Sequence, residues 1–228
     1  MSREKPFAAA LDYPPLNVVV RTPRLELRGA TDELLALLAP VVRDGVVDPD
    51  EAPFDDPMSL YADGPEREWR WLRGIWAGRA RVDPQSWRLY FVVMVGGVAT
   101  GMQDVIGQNF DSLGTVGTFS WLAPAYRGRG LGTEMRAAAI ELAFAGLGAR
   151  EASSDAFVDN AASNRVSQAL GYEPNGTEWA TRRGEPALML RWKLTRERWE
   201  SRRREDITLV GVDPCRAVLG LPRQEACR

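Results

Sequence analysis

The chain has 228 residues, of which 45% are hydrophobic and 26% are charged, and its net charge is −2. This composition is typical of one globular domain with added segments, or of two small domains at most. The weak net charge argues against a nucleic-acid partner, which usually requires a strongly basic face, and no apolar run approaches the ~18 residues of a membrane span.

The scarcity of histidine and cysteine excludes several kinds of catalytic and metal-binding site. The chain has no histidine and only two cysteines, Cys215 and Cys227. The commonest general base and the commonest zinc ligand are therefore absent, and no metal site is expected. Two cysteines do not make a disulfide framework, and the first residues lack the apolar core of a signal peptide. We therefore expect a cytoplasmic protein.

The N-terminal part predicts an arm, a strand, a helix and a long loop. Residues 1–16 contain three prolines and are assigned to the arm. Polar and apolar residues alternate over Arg24–Arg28, which predicts a strand, and Thr31 is a suitable N-cap for the helix that follows. Residues 44–64 are acidic and contain prolines. A loop of this length in a compact domain is often functional.

A tryptophan-rich helix is predicted over Pro65–Arg81. Trp69, Leu72 and Trp76 share one face of it at i+3 and i+4 spacing. The face either packs in the core or forms a wall that contacts substrate, because tryptophan offers a large rigid surface and a hydrogen-bond donor. The sequence leaves both possibilities open.

The central part predicts three strands and a helix. Trp87–Val95 and Val98–Val105 flank a pair of glycines and predict a hairpin. Gly114–Leu122 predicts the next strand, and the apolar spacing over Leu131–Leu147 predicts a long helix.

The C-terminal third predicts further strands and helices before a short tail. In order, these are a strand over Ala152–Val158, a helix capped by Asn160, a hairpin of Glu178–Arg182 with Ala187–Leu194, a helical turn over Thr195–Arg204 and a strand over Ile207–Val210. Strands alternate with helices only in part along the chain, so we expect an α/β protein with a mixed central sheet.

The most informative segment is the glycine-rich turn before the long helix. It consists of Arg127, Gly128, Arg129, Gly130, Leu131 and Gly132, followed by Thr133. A turn that opens a helix presents unpaired N–H groups at the positive end of the helix dipole, and these bind phosphate or pyrophosphate. Glycines let the backbone approach the anion closely. The alternative is an ordinary turn between a strand and a helix.

The spacing within this turn distinguishes among phosphate-binding motifs. A dinucleotide motif would require glycine in place of Thr133, and a P-loop would require a lysine, which is absent nearby. The spacing R-x-x-G-x-G, formed by Arg127, Gly130 and Gly132, resembles the acyl-CoA pyrophosphate loop of the GNAT N-acyltransferase superfamily.

A second segment, residues 160–172, resembles the N-x-x-[AS]-x-x-V/L…L-G-[FY] helix of the same superfamily. Asn160 is a good N-cap, Ser163 occupies the fourth position, and Gly171 ends the helix. Serine at that position is frequent in the RimJ/RimL-like branch. The resemblance covers roughly residues 23–193 and implies a GNAT-like three-layer fold, with a mixed, mostly antiparallel sheet flanked by helices.

The resemblance also suggests how the chain is divided. We expect an N-terminal arm over 1–16, a GNAT-like acyltransferase domain over 17–196 and a C-terminal extension over 197–228. The extension lies outside the resemblance and is expected to add a contact, with the second subunit of a homodimer as one candidate.

For the donor, the resemblance implies acetyl-CoA, or another acyl-CoA such as succinyl-CoA, as cosubstrate without a metal. Its pantetheine arm is expected along Ser120, Trp121 and Leu122, one of whose backbone N–H groups polarises the thioester carbonyl. Its diphosphate is expected on residues 127–133, with Asn160 nearby. The acidic 44–64 loop favours a cationic amine acceptor, either a peptide N-terminus or a small molecule.

The resemblance implies direct attack by the amine in a ternary complex, but its proton transfers are harder to assign. The carboxylate usual in the family is absent from Thr115–Phe119. Glu178 is the first candidate for the general base, followed by Asp155 and Asp104, with a water chain as the alternative. The resemblance points to Ser163 as the acid that protonates the departing thiolate.

Two other functions compete with an acyltransferase. The missing strand carboxylate supports a non-catalytic CoA-binding or regulatory module. A nucleotide-phosphate binder of another fold is the third hypothesis.

Overall fold

A computed structural model describes residues 13–48 and 50–222. Most of the predicted N-terminal arm (residues 1–12) and Cys227 lie outside this part of the chain. The strands are β1 Val19–Arg21, β2 Glu26–Gly29, β3 Ser86–Val95, β4 Val98–Gln108, β5 Thr115–Leu122, β6 Glu151–Phe157, β7 Glu173–Arg182, β8 Glu185–Thr195 and β9 Thr208–Val210. The α-helices are α1 Asp32–Asp44, α2 Gly64–Arg79, α3 Phe110–Leu113, α4 Leu131–Glu141, α5 Ala161–Ala169, α6 Arg196–Glu200 and α7 Val212–Val218.

The nine strands of this part of the chain form one sheet in the order β7-β8-β6-β5-β4-β3-β2-β1-β9. Neighbouring strands are antiparallel except β5 and β6, which run parallel. The mixed, mostly antiparallel sheet predicted from the sequence is therefore confirmed.

Two hydrophobic cores lie on opposite faces of the sheet and complete a three-layer structure. Helix α4 packs on one face with Leu89 and Phe91 of β3, and helices α1 and α2 pack on the other with Val92 and Met94. Strand β3 is thus buried on both faces, which explains its continuous apolar sequence.

Several elements differ from their predicted bounds for local reasons. The predicted strand over Arg24–Arg28 begins later, at Glu26, because Thr22 and Leu25 form a hydrogen-bonded turn. Strand β7 begins five residues before the predicted Glu178, because a register shift between Pro174 and Thr177 accommodates residues that usually break strands. The short elements β1 and α3 were missed because three or four residues show no clear periodicity.

The C-terminal segment adds a strand to the sheet and a helix to one of its cores. Strand β9 pairs with β1, and α7, which was not predicted, brings the fully buried Cys215 and Leu219 into the core next to α4. A contact of this segment with a second subunit stays a prediction. Within the described residues, none of the helices combines the length and apolarity needed to cross a bilayer.

We predict that Leu219→Ala lowers the free energy of unfolding by about 2–5 kcal/mol, because it opens a cavity in the core. Leu37→Ala, at a helix position that is 50% exposed, is the matched control and should cost within about 0.5 kcal/mol. Urea titration of both variants tests the difference. Equal losses would show that the C-terminal segment is not part of the cooperative core.

Candidate active site

The site begins where the parallel strands β5 and β6 separate. They pair only at Thr115 with Glu151 and at Val116 with Ala152, although both strands continue for several residues. Beyond Val116 the edge of β5 that faces β6 has no strand partner in the described chain. This leaves a gap lined on one side by backbone N–H and C=O groups.

Successive residues of β5 point their backbone N–H and C=O groups alternately toward β4 and toward β6, and this determines which residues offer these groups to the gap. Just after the strand, the Ala123 N–H donates to Thr100 on the β4 side. Even-numbered residues of β5 therefore point their backbone groups toward β6. The Leu122 carbonyl already accepts from Arg127 Nε at 3.0 Å, so Thr118 and Ser120 offer the free groups. Trp121, also predicted for this track, directs its backbone toward β4.

The glycine-rich turn opens α4 and leaves backbone N–H groups without partners among the described residues. Gly128 and Gly130 adopt φ values of 72° and 75°, a region that favours glycine. The first internal bond of the helix runs from the Glu134 N–H to the Gly130 carbonyl. The N–H groups of residues 131–133 consequently lack a bonding partner in the described part of the chain. Unpaired N–H groups at a helix start are suited to bind an anion, and the binding of a diphosphate here stays a prediction.

A buried carboxylate fixes the position of this turn. Glu134, which is 4% exposed, accepts from Thr22 Oγ1 at 2.5 Å and from Arg24 N and Nε at 3.1 and 2.5 Å. Arg24 Nη1 also donates to the Arg129 carbonyl at 2.9 Å. Burial opposes ionisation of Glu134, but the hydrogen bonds from Thr22 and Arg24 outweigh it and lower its pKa. Because Arg24 neutralises this carboxylate, the helix start keeps its attraction for anions.

The side chain of Arg127 is engaged within the protein. Besides the Leu122 carbonyl it donates to the Val46 carbonyl, and its Nη1 lies 4.0 Å from Glu51. It therefore ties the acidic loop to the end of β5. The cofactor-binding role expected for Arg127 stays a prediction.

Helix α5 forms the opposite wall of the gap. The Asn160 side chain accepts from Ser163 N at 3.1 Å and so caps the helix as expected. Ser163 Oγ in turn accepts from Arg136 Nη2 of α4 at 3.3 Å. The predicted acid is thus joined to a cation that the sequence analysis did not single out.

A cavity of about 310 Å³, here called the gap cavity, lies between these walls. Residues predicted to bind the cofactor or to act in catalysis meet here: Ser120, Trp121, Leu122, Arg127, Gly132, Asn160 and Ser163 line it. Gly128, Arg129, Gly130, Leu131 and Thr133 belong to the adjoining turn and first helical turn.

Two larger cavities adjoin the gap cavity. The aromatic cavity, of about 550 Å³, lies between α2 and the sheet and is lined by Trp69, Trp71, Tyr90, Phe119 and Trp121 among others. The acidic cavity, of about 460 Å³, is lined by Asp55, Asp56 and Asp155 together with Arg88 and Phe119. Phe119 lines all three cavities and marks the point where they converge.

The tryptophans of α2 differ in burial, which bears on the two possibilities that the sequence left open; contact with substrate stays a prediction. Trp69 and Trp76 are 46% and 48% exposed, whereas Trp71 and Ile75 are buried in the core. The core interpretation is therefore wrong for Trp69 and Trp76 but holds for Leu72, which packs against the core. Trp69 lies on the wall of the aromatic cavity.

The three candidate bases occupy different environments. Glu178 lies on the exposed edge strand β7, where it pairs with Arg191 at 3.6 Å. Asp104 is buried, and although Arg88 Nε and Nη2 donate to it at 2.9 and 2.6 Å, burial raises its pKa to about 6.

Asp155 is the candidate that lines both the gap cavity and the acidic cavity. It is accessible, but the concave walls replace part of its water shell. This desolvation, followed by the nearby carboxylates of Asp55 and Glu178, raises its pKa above the ordinary aspartate value. Such a shift makes a carboxylate a better proton acceptor at neutral pH.

Among the described residues, no group of three or more Cys, Asp or Glu side chains is placed to hold a metal ion. The polar groups around the gap are instead backbone groups, hydroxyls, carboxylates, the Asn160 amide and the guanidinium groups of Arg127 and Arg136.

Comparison with known proteins gives consistent results. Residues 24–173 match the family described as acetyltransferase (GNAT) domain. The structure is similar to that of Mycobacterium smegmatis RimJ in complex with CoA-disulfide, with a TM-score of 0.65, 17% identity, and coverage of 83% of this chain and 96% of that one. It is also similar to RimL, a ribosomal L7/L12 alpha-N-protein acetyltransferase in complex with coenzyme A, at a TM-score of 0.60, 16% identity and coverage of 78% and 97%. The spermidine/spermine N-acetyltransferase SpeG from Vibrio cholerae gives a TM-score of 0.61 at 14% identity, with coverage of 79% and 99%.

We predict that Glu134→Gln lowers the free energy of unfolding at pH 7 by about 1–3 kcal/mol, because it weakens buried hydrogen bonds to a charged acceptor. The folded pKa of Glu134 lies below the ordinary value of 4.5. Its ionised form therefore stabilises the fold fully above pH 4.5, and this contribution disappears as pH falls through the folded value.

Urea titrations at several pH values test this dependence. The difference between wild type and Glu134→Gln should shrink on acidification below pH 4.5. Glu26→Gln, which removes an exposed ion pair with Arg21, is the control and should cost about 0–1 kcal/mol at pH 7. A Glu134→Gln difference that is constant with pH would contradict the assignment.

Proposed function

The chain belongs to the acetyltransferase (GNAT) family, and on that premise we propose that it transfers an acetyl group from acetyl-CoA to a primary amine by direct attack in a ternary complex. The observation that carries this proposal is the opening between β5 and β6, which ends at the unpaired N–H groups of residues 131–133. Family membership excludes the hypothesis of a nucleotide binder of another fold.

The donor would bind as an extension of the sheet. Its diphosphate would accept hydrogen bonds from residues 131–133, at the positive end of α4. Its pantetheine amides would pair with the free backbone groups of Thr118 and Ser120, as a strand pairs with a sheet edge. The thioester would then reach Phe119, where the gap cavity meets the other two. Succinyl-CoA and other acyl-CoAs stay alternatives to acetyl-CoA.

The acceptor would approach from the face of the sheet that carries α1 and α2. Phe119 and Trp121 pack on that face, whereas Leu122 packs on the α4 face. On β6, Ser154 bonds Arg136 of α4, so alternation places Asp155 on the acceptor face.

This placement favours Asp155 over Glu178 as the general base in our proposal. Asp155 stands across the gap from Phe119 and opens into both the gap cavity and the acidic cavity. A carboxylate here supplies the proton acceptor that β5 lacks, and so removes the argument for a non-catalytic CoA-binding module. Glu178, Asp104 and a water chain stay the alternatives to Asp155, and the same experiment tests Glu178.

The cavity walls suggest the class of acceptor. Asp55, Asp56 and Asp155 favour a cationic amine, in agreement with the expectation from the acidic loop. The aromatic cavity favours an acceptor with an apolar body beside that amine, such as a peptide N-terminus with large side chains or a bulky small molecule. The homodimer and the cytoplasmic location expected from the sequence stay predictions.

We predict that Gly130→Glu weakens acetyl-CoA binding by at least about tenfold, because it adds strain at a positive φ and a negative charge beside the diphosphate. Gly176→Glu adds the same charge at a comparable φ of 88° on β7 and should leave the affinity unchanged. Calorimetric titration measures both. Wild-type affinity in Gly130→Glu would remove the turn from the donor site.

We predict that Asp155→Asn lowers kcat by about a hundredfold or more at pH 7, as expected on loss of a general base, with unchanged acetyl-CoA affinity. The deficit should shrink as pH rises toward the pKa of the acceptor, about 8 for an α-amine, because the free amine then needs less help.

Glu178→Gln is the matched control. It should retain nearly full kcat across the same pH series, measured as release of the CoA thiol. A large deficit in Glu178→Gln together with normal activity in Asp155→Asn would reverse the assignment.

A further inference from the structure

Among the described residues, Arg136 is a buried cation with no acidic side chain within bonding distance. It lies in the middle of α4, is 7% exposed and lines the gap cavity. Its Nη1 donates to Ser154 Oγ at 3.2 Å and to Ser167 Oγ at 2.9 Å, and its Nη2 donates to Ser163 Oγ at 3.3 Å. Its Nε is buried and has no hydrogen-bond partner in the described chain. The guanidinium is thus held by three neutral hydroxyls.

The surroundings leave this positive charge largely uncompensated. Asp155 attracts it from β6 without forming an ion pair. Burial raises the pKa of the Tyr172 hydroxyl to about 12, although the nearby Arg136 lowers it, so this hydroxyl stays neutral and supplies no opposite charge. Burial lowers the pKa of Arg136 below the usual arginine range, yet arginine keeps its proton in proteins.

A buried charge held only by hydroxyls destabilises the fold, because burial removes its water without supplying an opposite charge. One contact of the guanidinium indicates a role for this charge. It donates to Ser163, the predicted acid, which lines the same cavity. A cation behind that hydroxyl favours negative charge in front of it.

We propose that Arg136 is the positioning residue that stabilises the departing CoA thiolate, acting through Ser163. This inference rests on the proposed acyltransferase function. The amine nitrogen bonds to the thioester carbonyl carbon, the C–S bond breaks, and its electron pair goes to sulfur. The proton lost by nitrogen goes to Asp155. Ser163 accepts a hydrogen bond from Arg136 and donates a hydrogen bond to the sulfur while it keeps its own proton, so CoA leaves as the thiolate. Asp155 then gives its proton to solvent, and the released thiolate takes a proton from solvent.

The division of charge across the sheet supports this assignment. Asp155 lies on the acceptor face, where a proton leaves the amine, and Arg136 with Ser163 lies on the α4 face. The reaction moves negative charge from the acceptor side toward the sulfur, and each charged group lies on the side where it favours that movement.

Product CoA allows this role to be tested without turnover. The thiol pKa of bound CoA is measured by ultraviolet absorbance of the thiolate during a pH titration of the complex. In wild type it should lie about one unit or more below the ordinary thiol value of about 8.5, because a cation faces the sulfur. Arg136→Met and Ser163→Ala should each return it toward that value, and Arg136→Lys should keep part of the shift. Each variant should bind CoA with near wild-type affinity by calorimetry.

Arg165→Met is the matched control, since it removes a charge from the exposed surface of α5 and should leave the thiol pKa unchanged. Bound CoA with an ordinary thiol pKa in wild type would overturn the inference even if Arg136→Met failed to fold. A selective loss of succinyl-CoA affinity in Arg136→Met, with the thiol pKa unchanged, would overturn it by placing the guanidinium at the acyl end. Failure of wild type to bind CoA at all would reject the proposed function itself.

Discussion

The separation of β5 from β6 is the constraint on which the site depends. Two parallel strands that pair at only two positions and then diverge leave an open sheet edge within the protein. Elsewhere such an edge would be a liability, because unpaired N–H and C=O groups invite pairing with another chain. Here it leads directly to the exposed start of α4, so one continuous track offers hydrogen bonds to an extended ligand and to its anionic end.

The side chains around this track either fix the elements that border it or give its two faces opposite charges. Glu134 anchors the start of α4 to the turn before β2, and Arg127 anchors the acidic loop to the end of β5. The two faces of the opening then differ in charge, with Asp155 on the acceptor face and Arg136 behind Ser163 on the other. A reaction that removes a proton on one face and creates a thiolate on the other matches this asymmetry.

The sequence predicted what local backbone physics determines. The glycine-rich turn was expected to open a helix, and Asn160 had the side chain of an N-cap; the structure has both, and it adds that Gly128 and Gly130 adopt positive φ. Long-range packing decided the rest. In the sequence, Arg136 is indistinguishable from an ordinary helix residue. Only the packing of α4 against β6 and α5 buries it beside three serines. The side of the gap that Asp155 faces follows from the register of β6, which composition and spacing do not reveal.

The most direct test of this account is a crystal structure of the protein with acetyl-CoA bound. The account predicts diphosphate oxygens within hydrogen-bond distance of the N–H groups of residues 131–133, and pantetheine amides paired with Thr118 and Ser120. A diphosphate bound at any other surface, with the opening between β5 and β6 empty, would contradict it.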